Sequence, residues 1–274
     1  MPKRPHILVT GSTGNLGKKA IQALTSRLCR VTCIGRNSNQ QANVITADLK
    51  RFNSDWTKHF VGVDTVLHLA ADPKPLATWE SVQELNIDLS LNVMRAAQAH
   101  GVKRLVFASS NWVLGGYRFT DDHLSSSTPP RPTNPYGASK LFLERVGIEQ
   151  AEHTGMSFLS LRIGYCQPQE NRPGPHMAFG RWGQEMWLSD EDWCQAVECA
   201  CLNSFNGAAI VNIMSLNTGM RWDLSEAQAA IGYSPLSQSD PRQNALGAAG
   251  EFAARLRDRF LPPMAGTPLF GKRW

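Results

Sequence analysis

At 274 residues the chain is long enough to bury a sizeable core, and 42% hydrophobic with 19% charged residues is the balance of a folded globular protein. No apolar run reaches the ~18 residues of a membrane span. The net charge of +5 comes without a dense Lys/Arg stripe interleaved with aromatics, which argues against nucleic acid as a partner. The six cysteines, Cys29, Cys33, Cys166, Cys194, Cys199 and Cys201, form no Cys-x-x-Cys and lie near no histidine at zinc spacing. They are expected as buried thiols in a reducing compartment, with no metal site. Met1-Pro2-Lys3-Arg4-Pro5 runs into the first strand with no apolar leader between them, so the expected location is cytoplasmic.

Strand and helix signals alternate from the start. His6-Ile7-Leu8-Val9 is a short apolar run, and a strand is expected at Ile7–Val9. A glycine turn, Thr10-Gly11-Ser12-Thr13-Gly14-Asn15-Leu16-Gly17, separates it from a helix over Gly17–Ser26. Further strands are expected at Val31–Ile34, Asn43–Thr46, Thr65–Leu69, Arg104–Ala108 and Phe158–Ile163, with helices at Asn86–His100 and Pro135–His153. Such alternation predicts an α/β fold with a parallel sheet between two layers of helices. From Gln167 to Gly183 prolines and glycines break the periodicity, and a long functional loop is expected. Trp182, Trp187 and Trp193 follow closely, then a helix at Asp190–Leu202, a strand at Ala208–Ile213, and helices at Ser225–Ile231 and Ala245–Arg259. The expected organisation is one domain over residues 1–274. Residues 165–274 are too few for an independent domain and would supply a substrate loop and a cap over the sheet edge.

Two motifs carry chemistry. A glycine turn between a strand and a helix lets backbone approach a pyrophosphate, and the helix N-terminus attracts the anion. The spacing here is Gly-x-x-Gly-x-x-Gly, not Gly-x-Gly-x-x-Gly. Tyr136 and Lys140 stand four apart in Asn-Pro-Tyr-Gly-Ala-Ser-Lys, about 25 residues after Ala108-Ser109-Ser110-Asn111. On a helix they share one face. An ammonium beside a phenol favours phenolate, so Lys140 is expected to lower the pKa of Tyr136 and suit it to proton transfer.

Together these motifs resemble the short-chain dehydrogenase/reductase superfamily in its extended, epimerase-like branch. The pieces are Thr10-Gly11-x-x-Gly14-x-x-Gly17, Ala47-Asp48-Leu49, His68-Leu69-Ala70-Ala71, Asn86, Ser109-Ser110-Asn111 and Tyr136-x-x-x-Lys140. The chain is also similar to uronate dehydrogenases, which oxidise C1 of a hexuronic acid to a lactone. Phe107 to Asn111, Arg162-Ile163-Gly164-x-Cys166, Trp187-x-Ser189-x-x-Asp192 and Trp222-Asp223 carry that likeness. The resemblance implies a Rossmann-type doubly wound sheet with a small C-terminal capping region. It implies Tyr136 as the acid/base, Lys140 on the nicotinamide ribose, Ser110 on the reacting oxygen and Asn111 on a neighbouring sugar hydroxyl. Whether Ser109 or Ser110 faces the site depends on strand register. Gly11, Thr13, Gly14, Asn15, Leu16, Gly17, Asp48, Leu49, Leu69, Ala70, Ala71 and Asn86 would line the cofactor. A homodimer through the helices Asn86–His100 and Pro135–His153 is implied by the same analogy.

Three departures from that pattern bear on specificity. The second strand ends Cys33-Ile34-Gly35-Arg36-Asn37, with Gly35 at the place of the acid that binds the ribose 2′-hydroxyl. Arg36 suits a 2′-phosphate by charge and shape, so NADP is expected, with NAD possible as well. The loop after the fourth strand reads Asp72-Pro73-Lys74-Pro75 where uronate dehydrogenases carry a serine. A carboxylate-binding arginine would have to be Arg172 or Arg181, in a loop several residues longer than that family's. Trp112 and Tyr117 follow the fifth strand, and an aromatic face there could stack on a sugar. The expected function is NAD(P)-dependent oxidation of a sugar or sugar acid. The alternatives are a sugar-nucleotide epimerase or reductase, and a non-catalytic NADP-binding regulator. Ser110-Asn111-Trp112-Val113 lacks the acid pair a dehydratase needs.

Overall fold

The computed structural model describes residues 4–37, 43–242 and 245–260. Its strands are β1 (His6–Thr10), β2 (Arg30–Gly35), β3 (Val44–Thr46), β4 (Thr65–His68), β5 (Arg104–Ser110), β6 (Ser157–Ile163) and β7 (Ala208–Ile213). They form one sheet in the order β3-β2-β1-β4-β5-β6-β7, parallel throughout. The winding direction reverses between β1 and β4, and sheets of this kind take ligands at the carboxyl ends of the strands beside that reversal.

The helices are α1 (Asn15–Ser26), α2 (Ser54–Thr57), α3 (Trp79–Val82), α4 (Leu89–Ala99), α5 (Pro135–Thr154), α6 (Gly180–Glu185), α7 (Asp190–Leu202), α8 (Ser225–Ile231) and α9 (Ala245–Phe260). Strand alternation sends Ile7 and Val9 to one face of the sheet and Leu8 to the other. Ile7 and Val9 pack with Ala20 and Leu24 of α1 and Trp193, Ala196 and Val197 of α7. Leu8 packs with Val66, Val93, Phe107, Leu143 and Phe158 beneath α4 and α5. With both faces covered, the strands read as continuous apolar runs, which is why they are legible in the sequence.

Sequence sets the ends of α5 closely. The Asn134 side chain accepts the Gly137 N–H at 2.7 Å, Pro135 opens the helix, and Gly155 closes it at φ +71°. Tyr136 is thereby fixed in the first turn. Ser189 caps α7 in the same way, ahead of Asp190, Glu191 and Asp192 in the first turn.

Several expected boundaries move. The helix expected at Asn86–His100 begins at Trp79, capped by Thr78, and runs through a π-helical turn, Gln83–Asp88, into α4. The loop expected to reach Gly183 stops at Phe179, because Trp182 is buried against Trp222 and draws Gly180–Glu185 into a helix. The segment Ser54–Phe60, α2 with a 3-10 turn behind it, was not expected. β7 is itself the sheet edge, with α8 packed on it, while α9 lies against α6. No helix among the described residues is long and apolar enough to cross a membrane. Cys201 is buried and the other five cysteines are half-buried, none in a disulfide.

Candidate active site

The carboxyl ends of β1, β2, β4, β5 and β6 open into a cavity of about 800 Å³. At one end lies the glycine turn. Gly11 sits at φ +68°, and a Cβ there would meet the Ala70 nitrogen at 2.7 Å; a Cβ on Gly17 would meet the Gly11 carbonyl oxygen at 2.3 Å. The turn therefore lies flat against β4, where no side chain fits. No side chain caps α1, so its first-turn N–H groups are left for an anion. α1 is held from behind. Trp193 Nε1 donates to the Leu16 carbonyl at 3.1 Å, Lys19 pairs with Asp190 at 2.6 Å, and the Asn15 amide donates to the Cys166 carbonyl at 3.0 Å.

Of the residues expected at the cofactor, Gly11, Thr13, Gly14, Asn15, Leu16, Gly17, Arg36, Leu49, Leu69, Ala70 and Ala71 line this cavity. Arg36 is exposed at the end of β2 and makes no ion pair among the described residues. Two expected cofactor contacts lie elsewhere. Asp48 is exposed outside the lining and accepts the Lys50 N–H at 3.1 Å, so it closes a turn. Asn86 is fully buried; it accepts the Asp72 N–H at 2.8 Å and donates to Ser139 Oγ at 3.2 Å, tying the loop after β4 to α5.

At the other end Ser110, Asn111, Trp112, Tyr136 and Lys140 meet. The register question is decided by alternation along β5: Ser109 Oγ donates to Glu144 at 2.6 Å behind the site, while the Ser110 hydroxyl lies by the Tyr136 phenol. Lys140 Nζ donates to the Ala108 carbonyl at 2.7 Å and lies 5.6 Å from the Tyr136 ring centre. Burial pushes the Tyr136 phenol up to about 12; Ser110 opposes that shift, and Asp72 adds to it. Burial lowers Lys140 to about 7, with Glu144 opposing. The expectation that Lys140 lowers the Tyr136 pKa is thus corrected: burial dominates, and the group that opposes it is Ser110. In the protein by itself the Tyr136 phenol is protonated at neutral pH.

A buried ion pair stands behind this centre. Glu144, one turn beyond Lys140, takes a two-pronged contact from Arg162 of β6, at 3.0 Å from Nε and 2.9 Å from Nη2. The two side chains are 0% and 1% exposed. His68 is equally buried, bonded to Thr10 at 2.6 Å and Ser90 at 2.8 Å, and burial lowers it to about 3, so it stays neutral and serves structure.

The expected arginines do not reach the cavity. Arg172 is exposed and pairs with Glu170 at 2.8 Å; Arg181 pairs with Glu185 at 2.6 Å. Instead the lining beyond Tyr136 is Pro73, Pro75, Tyr165, Phe179 and Met186, with Trp112 and Phe179 edge to face at 4.9 Å. Tyr117 is buried, bonded to the Pro129 carbonyl. Pro73 and Pro75 were visible in the sequence as an altered loop. Phe179 and Met186 had no local signal, because only the fold brings that segment over β5. No cluster of three or more histidine, cysteine or acidic side chains suited to a metal occurs among the described residues.

Residues 7–166 match the model of the NAD dependent epimerase/dehydratase family. The L-arabinose 1-dehydrogenase (NAD(P)(+)) of Haloferax volcanii is 36% identical over 85% of this chain and 97% of its own. A uronate dehydrogenase of Pseudomonas putida is 32% identical over 89% of this chain and 88% of its own. Among solved structures, a glucuronic acid dehydrogenase from Chromohalobacter salexigens is 26% identical, covers 86% of each chain and superposes with a TM-score of 0.74. On the glycine turn, the parallel sheet and these likenesses, the chain belongs to the NAD dependent epimerase/dehydratase family, as an NAD(P)-dependent sugar dehydrogenase of the extended short-chain type.

Proposed function

We propose that this protein oxidises a sugar at its anomeric carbon to a lactone, with Tyr136 as the proton acceptor. The observation that carries the reading is the meeting of Tyr136, Ser110 and Lys140 in the cavity that begins at the glycine turn. The names of two relatives support the chemistry, one a 1-dehydrogenase of a neutral sugar and one a dehydrogenase of uronates.

The residues fit a dinucleotide: the Gly11 and Gly17 positions admit no Cβ, the start of α1 is uncapped, and Arg36 is exposed with no ion pair among the described residues, so it could meet a 2′-phosphate. When bound, NAD(P) supplies the acceptor for the hydride lost from C1. Tyr136 takes the hydroxyl proton as the C–O bond becomes a carbonyl, and Ser110 donates a hydrogen bond to that oxygen. Lys140, on the same face of α5, would hold the ribose, and when protonated it would favour the phenolate form of Tyr136 that accepts a proton. Side-by-side binding makes the step effectively intramolecular. Gly35 and Arg36 favour NADP.

The test is Tyr136→Phe. Turnover of the best sugar is expected to fall by about 10²–10⁴-fold, with cofactor affinity unchanged. Equal turnover in the variant would remove Tyr136 from the mechanism.

A further inference from the structure

The cavity walls specify the charge of the sugar. Among the described residues lining it, the charged side chains are Arg36 and Lys140. Arg36 lies at the end of β2. Lys140 is buried beneath Tyr136, committed to the Ala108 carbonyl and lying 4.9 Å from the Phe107 ring centre. Three arginines come near the substrate end by sequence, and each is held elsewhere. Arg172 is with Glu170, and Arg181 is with Glu185. Arg118 donates to the Phe179 main-chain carbonyl at 3.2 Å and stacks over Phe119. None of the three lines the cavity. Turning Arg181 inward would take a partner from the Glu185 carboxylate, whose side chain is only 7% exposed.

What the wall offers is hydroxyls, an amide and aromatic faces. Asn111 is 1% exposed, and its amide donates to the Ile163 carbonyl at 2.8 Å, which fixes its orientation. Its Oδ1 has no hydrogen-bond partner among the described residues. An unpaired buried acceptor wants an O–H donor, which the ring hydroxyl of any sugar supplies; it places a hydroxyl, and the choice of charge rests on the rest of the wall. The Trp112–Phe179 pair gives apolar surface suited to sugar C–H groups. A carboxylate or phosphate placed there would lose its hydration, and among the described lining residues at that end the one cation is Lys140, already committed to the Ala108 carbonyl.

We propose that the substrate is an uncharged aldose, its ring against Phe179 and Trp112 and one hydroxyl donated to Asn111 Oδ1. This rests on the sugar-dehydrogenase reading above and sharpens it.

The test is a cofactor-reduction assay on the full-length protein, with NADP and NAD separately, against neutral aldopentoses and aldohexoses, hexuronates and hexose 6-phosphates. The expected result is a kcat/KM for the best neutral aldose at least about tenfold above that for any charged sugar. A hexuronate or hexose phosphate that matches or exceeds the neutral sugars overturns the inference and leaves the dehydrogenase reading intact. Turnover of none of them, with cofactor still bound, sinks both. Phe179→Ala supplies a second readout: KM for the neutral aldose rises about tenfold while the NADP dissociation constant stays put. An unchanged KM removes Phe179 from the sugar site.

Discussion

Replacing Arg162 by Met tests the buried pair behind the active site. Glu144 and Arg162 are 0% and 1% exposed and joined at 2.9 and 3.0 Å, and Glu144 also accepts the Ser109 hydroxyl at 2.6 Å. Removing the guanidinium leaves a carboxylate in the core with only hydroxyls to solvate it, which costs about 3–5 kcal/mol. That is a large part of the roughly 5–15 kcal/mol that holds a domain folded. The pair itself is imperfect, since Arg162 Nη1 has no hydrogen-bond partner. Replacing both, as Glu144→Leu with Arg162→Met, is therefore expected to recover most of the loss and to end within about 2 kcal/mol of the parent. Urea unfolding at constant m-value reads all three proteins. An Arg162→Met variant within about 1 kcal/mol of the parent, or a double variant less stable than both singles, would refute the argument.

Arg36→Ala is expected to weaken NADP binding by at least about tenfold and leave NAD binding unchanged, measured by calorimetry; equal losses for both would assign Arg36 to the adenine instead. Lys140 gives a pH signature. Its folded pKa, about 7, lies below its unfolded value, so the unfolded chain binds more protons between about pH 7 and 10, and stability should rise with pH across that window. Lys140→Met should flatten the rise, and parallel curves for the two proteins would count against a strained lysine. Tyr136 acts in the opposite sense. With its folded pKa raised to about 12, it should withdraw stability as pH climbs above 10, a loss that Tyr136→Phe removes.

The parallel strands could be read from the sequence because burial on both faces makes them apolar runs bounded by turn residues. β7, α7 and α8 fall where the periodicity puts them. The shape of the glycine turn and the pairing of Tyr136 with Lys140 were legible because both are local, set by backbone conformation and helical spacing. Asp48, Asn86, Arg172 and Arg181 were not, because whether a side chain faces a cavity depends on partners far along the chain. Asn86 is turned inward by a π-helical turn that no periodicity announces. α6 read as loop because Gly180 and Gly183 mask a helix held by buried Trp182. The phenol's raised pKa was also hidden, since spacing shows a neighbouring charge and not the depth of burial.

The anchoring of α1 bears on how the protein is made. The glycine turn is synthesised well before α7, since the Trp193 contact to Leu16 spans 177 residues. At about 5–20 residues per second, roughly 10–35 s separate the two on the ribosome. During that interval α1 lacks Asp190 and Trp193, and its face toward α7 is open to water. A nascent chain therefore carries the glycine turn before it has the contacts that hold α1. On the proposed function, cofactor capture is a late event in biogenesis, and a chain cut short before α7 is expected to carry the turn and bind no NAD(P).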